Sequence, residues 1–478
     1  MYDHLLAQLT GRRPRCYDLP PRAHLIGLAG AGMQALAEVL LDHQWRLSGS
    51  DREIDSLRKS VASAARIHAG HDPCHVSGDC DLVIHSAAVP ADNVERRRAA
   101  QCAIPLLSYP RALARIANAG RALAIAGTHG KSTAVAMTDE VLRAAGLDPT
   151  VIGGGVVLGH ETGGRAGRDN LALIEACEYR RHFLRLRPAA AVILGVELDH
   201  VDCYHSTDEL QKAFAQFAGR VQQDGLLIAR YDCRNTQAAL AAARCRYETF
   251  GIDTAADWSA DDLRHDAGRW SFQLLHRGRP HGRVKLRVAG RHNVCNALAA
   301  AALGHWCGAG YGDIVSALDL FPGLKRRLES IGTIDGIAWI DDYAHHPTAV
   351  AAALAAVRQL HRGCRVWCVF QPHQVSRTRR LLDELAESLQ NADKIVVAEI
   401  FRAREPWSNP GDVSALDLAA AVRRRGGDVA EVHEIADIAE HLRKKLATGD
   451  VVVTMGAGDI WKLRHELVGR LRTICAAG

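Results

Sequence analysis

Short apolar runs of about four to eight residues alternate with longer stretches whose apolar positions recur every three or four residues. "AHLIGLAG", "LSGSD", "CDLVIHSAA" and "IPLLS" predict strands, and "GMQALAEVLLDHQ" between the first two predicts an amphipathic helix. Such alternation favours a parallel sheet with helices on both faces. The pattern restarts at "RALAIAGTHGK", continues through "LALIEAC", "AAVILGVE" and "GLLIARY", and ends near the predicted helix "NVCNALAAAALGHW". After "LFPGLKRRLESIG" it restarts again, with strands in "IAWIDDYAHHP", "RVWCVFQPH", "KIVVAEIF" and "DVVVTMGAGD". These restarts predict three α/β domains, 1–118, 119–328 and 329–478, each a mainly parallel sheet flanked by helices.

Length agrees with that division, because 478 residues at about 150 per domain suggest roughly three cores. Hydrophobic residues make up 48% and charged residues 24%, as in globular proteins. No apolar run reaches transmembrane length, and the first residues lack a basic start followed by an apolar core and cleavage site. The expectation is a cytoplasmic protein with no stable membrane association. Thirteen cysteines without a Cys-x-x-Cys pair fit reduced thiols better than a disulfide framework or structural zinc. A net charge of +5 without a long basic block gives no indication of nucleic acid and leaves small anions as ligands.

Two glycine-rich turns direct attention to phosphate. In "ALAIAGTHGKSTAVAM" a turn joins an apolar strand to a helix, the context in which backbone N–H groups and a helix N-terminus cradle phosphate oxygens. Gly127, Thr128, His129, Gly130, Lys131, Ser132 and Thr133 form the predicted P-loop-type segment, with Lys131 on the terminal phosphates and the Ser132 hydroxyl on Mg2+. Ile125 stands where the common pattern has a glycine, and a strand–helix turn with a solvated lysine is the alternative. In "LIGLAGAGMQALAEVL", Gly27, Gly30 and Gly32 permit close approach of an anion, and Asp51 follows at the spacing of a ribose contact. Alone, that turn suggests either a dinucleotide-binding oxidoreductase or a tight turn without ligand. Two such turns in successive domains suggest two phosphorylated ligands brought together.

Acidic and imidazole groups follow two of the middle strands. Glu175 and Glu178 end one, and Glu197, Asp199, His200 and Asp202 end the next. Neighbouring strand ends in a parallel sheet lie side by side, so these groups can converge on Mg2+ beside the nucleotide loop.

The ordered series "IGLAGAGMQALAEVLL", "SGSD", "AGTHGKST", "EACEY", "ELDH", "GRHNVCNALAA", "KRRLE", "DDYAHHPTAV", "FQPH", "RARE" and "GAGDI" resembles the Mur ligases of peptidoglycan synthesis, over residues 23 to 466. The resemblance implies a Rossmann-like first domain for a UDP-sugar, a P-loop-type ATPase domain, and a Rossmann-like C-terminal domain for an amino acid. It implies ATP-dependent joining of L-alanine to the lactyl carboxylate of UDP-N-acetylmuramate through an acyl phosphate. ATP and Mg2+ are the implied cofactors, and a monomer or homodimer is the expected assembly.

Carried onto this chain, the resemblance gives Lys131 to the ATP phosphates and Ser132, Glu175 and His200 to Mg2+. Asn296 becomes the adenine contact, supported by His292 and Asn293, while Gly30, Gly32 and Asp51 face the UDP part. Arg326 faces the transferred phosphate, and Tyr343, His345, His373 and Arg377 surround L-alanine and the reacting carboxylate. The chain departs from the family pattern at Cys177, Gly195 and Gln374, where aspartate, asparagine and arginine are usual, and Arg180 and Arg181 add charge after Tyr179. Lys212 is the lysine nearest downstream of His200, in a family where a carbamylated lysine can stand beside the metals. The nearest rival is the recycling ligase that joins a tripeptide to the same UDP-sugar; the short segment "EACEYRRHFLRLRPAAAVIL" favours L-alanine. A dehydrogenase and a non-catalytic nucleotide-binding scaffold are the more distant alternatives.

Overall fold

The computed structural model describes residues 2–11, 20–266, 268–403, 405 and 411–464. Arg404 of the "RARE" stretch and residues 465–478 of the third predicted domain lie outside the described residues, as do Met1 and 12–19 of the first.

Three sheets form, one per domain. Strands β1 to β5 (Arg22–Ile26, Arg46–Asp51, Arg66–Ala69, Leu82–His85, Leu106–Ser108) pair in the order β3-β2-β1-β4-β5, all parallel. The middle sheet comprises β6 (Arg121–Ala126), β7 (Thr150–Ile152), β8 (Gly164–Arg165), β9 (Leu171–Glu175), β10 (Ala190–Ile193), β11 (Leu226–Arg230), β12 (Arg246–Ile252), β13 (Trp258–Asp266), β14 (Arg269–His276) and β15 (Arg279–Ala289). Its order is β15-β14-β13-β12-β11-β10-β6-β9-β7-β8. The third sheet has β16 (Glu329–Ile334), β17 (Ile337–Asp342), β18 (Val366–Phe370), β19 (Lys394–Ala398), β20 (Val429–His433) and β21 (Val451–Met455), ordered β16-β17-β21-β18-β19-β20.

Chain order reverses at β1/β4 in the first sheet and at β6/β10 in the middle one. Loops after the central strands therefore diverge to opposite sides and leave a crevice at the C-terminal edge. The turns containing Gly27–Gly30 and Gly127–Gly130 occupy those two crevices. The central strands are apolar on both faces because helices cover both: Leu123, Ile125, Val192 and Ile228 are fully buried. The helix His292–Trp306 is buried from Asn293 to Gly304, and Gly304 has no side chain because Val141 of the helix Lys131–Ala144 fills that space.

Apolar periodicity alone does not predict the antiparallel ribbons at the sheet edges. β13, β14 and β15 pair antiparallel, as do β16 and β17. Both residues of the turns Arg277-Gly278 and Asp335-Gly336 have positive φ, 50° and 73° in one, 53° and 75° in the other. Such turns match the twist of a two-residue hairpin, and Asp-Gly is the sequence signal that marks the second.

The buried carboxylate of Glu38 clasps the first domain to the middle one, beside Asp42, which accepts from the Ala166 amide at 2.9 Å. Glu38, 3% exposed, accepts from Arg58 Nη1 at 2.8 Å, Ser60 Oγ at 2.9 Å, and the backbone amides of Gly163 and Gly164 at 2.9 and 2.7 Å. Arg58 also donates to the Gly154 carbonyl at 3.0 Å. Among the described residues, no helix is long and apolar enough to cross a membrane.

Removing Glu38 leaves Arg58 and two amides without their acceptor in a buried contact. Glu38→Ala should cost about 3–5 kcal/mol. Scanning calorimetry should then show the first domain melting in a separate, earlier transition; an unchanged thermogram would contradict the clasp.

Candidate functional site

β6 ends at Ala126, and the chain turns through Gly127-Thr128-His129-Gly130 into the helix Lys131–Ala144. Gly127 and Gly130 have φ of 139° and 81°. A Cβ at Gly127 would lie 2.9 Å from the Cβ of Leu194, so glycine is required both by conformation and by close packing against the end of β10. Lys131 folds back into this turn. Its Nζ lies 2.5 Å from the Gly127 carbonyl oxygen, and 3.1 and 2.9 Å from the two carboxylate oxygens of Glu178. Burial works against its charge, but the Glu178 carboxylate outweighs that and holds the ammonium pKa above its ordinary value.

The acidic strand ends do not converge on one point. Ser132 Oγ donates to Glu175 Oε1 at 3.1 Å, and the other Glu175 oxygen accepts from the Gly154 amide at 2.8 Å. His200 Nε2 lies 3.6 Å from Glu178, whose backbone carbonyl accepts from Tyr204 Oη at 2.7 Å. Glu197 turns the other way, to His129 Nε2 at 3.0 Å and Thr348 Oγ1 at 2.5 Å. Burial opposes the Glu197 charge, yet the His129 and Thr348 hydrogen bonds bring its carboxyl down to about 2. Asp202 accepts from the Tyr179 hydroxyl at 3.1 Å.

A cavity of about 570 Å³ opens between the middle and third domains. Thr128 to Thr133, Glu175 and His200 line it from the strand ends, and His292, Asn293 and Asn296 from the buried helix. Asn296 donates to Asn293 Oδ1 at 2.9 Å, and Asn293 in turn to the Ala289 carbonyl at 2.7 Å, so both amides are fixed in place. Tyr343, His345, His373 and Arg377 line it from the third domain. His345 donates from Nδ1 to the Tyr343 carbonyl at 2.9 Å, which leaves Nε2 as an acceptor in the neutral ring. Burial, reinforced by Arg377, holds its pKa well below 6.5, so the ring is neutral at pH 7.

Arg377 is 2% exposed and joins the two domains. Its Nε and Nη2 donate to Asp199 Oδ1 at 2.9 and 2.7 Å, and Nη1 lies 2.9 Å from His373 Nδ1. Burial disfavours the Asp199 charge, but the guanidinium holds that carboxyl well below the usual range. The guanidinium edge of Arg377, which the resemblance places beside L-alanine, therefore rests on Asp199 in this structure.

Other predicted residues stand away from the cavity. Gly30 caps the helix Ala31–Asp42, a Cβ on Gly32 would meet the Tyr109 hydroxyl at 2.6 Å, and Asp51 accepts from the Ala29 amide at 2.8 Å. All three shape the first-domain crevice and none lines the cavity. Lys212 is exposed and outside the cavity. Arg326 also lies outside it: its guanidinium donates to the Asp341 carboxylate at 3.2 Å and the Gly456 carbonyl at 2.6 Å. Its neighbour Arg327 lines the cavity instead. The two residues flanking Arg327 both have left-handed backbone, with φ of 58° at Arg326 and 48° at Leu328. Arg230, another cavity residue that sequence reasoning passed over, is held at 2.6 and 3.0 Å by both oxygens of Asp232.

The donors near Lys131 fit a hard cation. Ser132 and Glu175 offer oxygen, and ligand atoms of Cys177, Glu178 and His200 lie within 4.8 Å of one another. Burial and then the Glu178 charge push the Cys177 thiol up to about 12, so sulfur stays protonated and oxygen and imidazole are the available ligands.

Three family models match the chain in succession: "Mur ligase family, catalytic domain" over residues 22–121, "Mur ligase middle domain" over 125–304, and "Mur ligase, glutamate ligase domain" over 326–458. The UDP-N-acetylmuramate–L-alanine ligase of Lachnospira eligens is 36% identical over 456 residues, 95% of this chain and 99% of its own. The enzyme of the same name from Salinibacter ruber is 37% identical over 450 residues, 94% of each chain. Among solved structures, the UDP-N-acetylmuramate–alanine ligase of Thermotoga maritima superimposes with a TM-score of 0.79 at 24% identity, covering 95% of this chain and 99% of that one. A murein peptide ligase from Psychrobacter arcticus gives 0.73, also at 24% identity, over 94% and 98%.

The Asp199–Arg377 pair predicts a pH signature. A carboxyl depressed in the folded state contributes its full stability above its unfolded pKa near 3.8, and that contribution disappears as pH falls toward the depressed value. Asp199→Asn should be less stable than the parent by about 3–5 kcal/mol at pH 7, since it leaves a buried guanidinium uncompensated. Denaturant unfolding should show that gap closing below pH 4; a gap independent of pH would contradict the ion pair.

Proposed function

The chain belongs to the Mur ligase family, and on that premise we propose that it joins L-alanine to the lactyl carboxylate of UDP-N-acetylmuramate, converting ATP to ADP and phosphate. The observation that carries the reading is the shared cavity. A lysine on a glycine turn and a group of neutral and cationic third-domain side chains face the same space from two sheets. Relatives 36% and 37% identical over nearly the whole chain bear that substrate pair in their names.

A carboxylate is a poor acyl donor because its leaving oxygen is too basic. Its oxygen therefore attacks the γ-phosphorus of ATP, the bond to ADP breaks, and an acyl phosphate forms. The amine of alanine then adds to the acyl carbon, and phosphate leaves as the amide forms and the nitrogen loses its proton. Negative charge grows on phosphate oxygens in the first step and on the acyl oxygen in the second, and fixed positive groups lower both barriers.

In this proposal Lys131 and the amides of Gly127 to Thr133 hold the ATP phosphates, and Asn296 with His292 and Asn293 holds the base. Mg2+, when bound, neutralises phosphate charge, and Ser132, Glu175 and His200 are the residues that would hold it. The Nε2 of neutral His345 accepts a hydrogen bond from the incoming amine. Arg377 orients His373, and Arg327 takes the position toward the transferred phosphate that sequence reasoning gave to Arg326. Gly30, Gly32 and Asp51 serve the UDP part in the first-domain crevice. A cytoplasmic location belongs to the same proposal.

The runner-up is ligation of a whole tripeptide to the same sugar. The relatives named for L-alanine and the short 175–194 segment favour the single amino acid. Incubation with UDP-N-acetylmuramate, ATP, Mg2+ and either L-alanine or the tripeptide, followed by phosphate release and product mass, decides between them. Phosphate release with the tripeptide alone would overturn the assignment.

Lys131→Ala should lower ligation about 10²- to 10³-fold or more, the scale on which removal of one charge-stabilising donor acts. Calorimetric affinity for the UDP-sugar should change less than about threefold, because the sugar crevice lies in another domain. Near-normal turnover at saturating ATP would remove Lys131 from the site.

A further inference from the structure

At the opposite end of the middle sheet lies a basic depression that the ligation chemistry does not use. Two adjoining hollows of about 500 and 380 Å³ share Leu184 and Arg220. Arg111 and Arg115 reach them from the first-domain helix Tyr109–Ala117, while Arg185, Arg220 and Arg244 come from the middle domain. Arg185, Arg220 and Arg244 precede β10, β11 and β12, whereas the catalytic loops follow the strands at their other ends. A five-residue strand spans about 17 Å, so the two regions are physically separate.

The charge here is uncompensated. All five arginines are exposed, and no acidic residue lines either hollow. Arg115 donates to the Leu9 carbonyl. Among the described residues, the guanidinium groups of Arg111, Arg185, Arg220 and Arg244 have no hydrogen-bond or carboxylate partner. Arg165, by contrast, is paired with Asp139 and Asp148, and Arg365 with Asp450. Clustering like charges without counter-charges opposes the compact state unless an anion relieves it.

Shape narrows the choice of anion. Each hollow is the size of a small-molecule site, about 300–1,000 Å³. Guanidinium forks match phosphate oxygens two at a time, and Leu184 supplies an apolar contact between them. A single monoanion would not engage arginines from four separate elements.

We propose that this depression binds a compact polyanion, a small molecule carrying two or more phosphate groups, at a site distinct from the catalytic cavity. An occupant held by Arg111 on one side and by Arg220 and Arg244 on the other ties the first domain to the middle one. Its presence therefore resists relative movement of the domains that carry the sugar and the nucleotide. The inference rests on charge and shape alone and stands or falls independently of the ligation reading.

Inorganic tripolyphosphate is the probe, titrated calorimetrically into the full chain, into Lys131→Ala, and into the double variant Arg220→Ala/Arg244→Ala. The unaltered chain should show two classes of site. Lys131→Ala should retain the class that the double variant weakens at least tenfold, and that class should weaken with added salt. The double variant should ligate at the parent rate when tripolyphosphate is absent. A single class of site lost in Lys131→Ala would overturn the proposal, as would a second class indifferent to the double substitution. Arginine-dependent binding to phosphatidylglycerol vesicles or to an acidic peptide, with no tripolyphosphate binding outside the cavity, would assign the surface to a macromolecule and overturn it too.

Discussion

A positive charge buried at a strand end governs the catalytic region. Lys131 is drawn into the glycine turn, and a buried ammonium without a partner would lose its proton. Glu178 prevents that at 2.9 Å, and its own position depends on the rest of the β9 loop. The positive φ of Gly127 and Gly130 lets the turn wrap the amine, and the end of β10 presses directly on Gly127. His200 approaches the same carboxylate from the next strand. In the proposed reaction, phosphate and glutamate are alternative counter-charges for this one lysine, and the protein already provides one of them.

A second requirement is that two separately folded sheets face each other across the cavity. Polar pairs make that contact: Asp199 with Arg377, and Glu197 with Thr348. Each acid comes from the loop after β10 and each partner from a third-domain helix, so a loop that lines the cavity beside the glycine turn also carries the contact with the third domain. An ion pair is directional, unlike an apolar interface, and so fixes how the two sheets face each other. The first domain is held differently, by Glu38 and two backbone amides at the far side of the middle sheet.

Much of this is legible in the chain because parallel sheets write apolar strands and polar strand-end loops in strict alternation. That pattern supports the three α/β domains, and the structure gathers Lys131, Ser132, Glu175, His200, Asn296, Tyr343, His345, His373 and Arg377 around one cavity. Partner choice is not legible. Glu175, Glu178, Glu197 and Asp199 look alike in sequence, yet each meets a different cation or donor, because a loop's side-chain directions depend on dihedral angles that periodicity does not encode. Arg326 and Arg327 show the same limit, since they are alike and adjacent in sequence, yet only Arg327 lines the cavity. The β16–β17 hairpin is marked by Asp335-Gly336 and is invisible only to a reading confined to apolar spacing.

The central proposal is that the sugar carboxylate is activated as an acyl phosphate within this cavity before the amine of alanine attacks it. Its most direct test is the fate of oxygen. UDP-N-acetylmuramate labelled with 18O in both oxygens of the lactyl carboxylate should deliver one labelled oxygen to each inorganic phosphate released, read by mass spectrometry, with the other retained in the amide. Phosphate free of label, alongside formation of the alanyl product, would contradict the account.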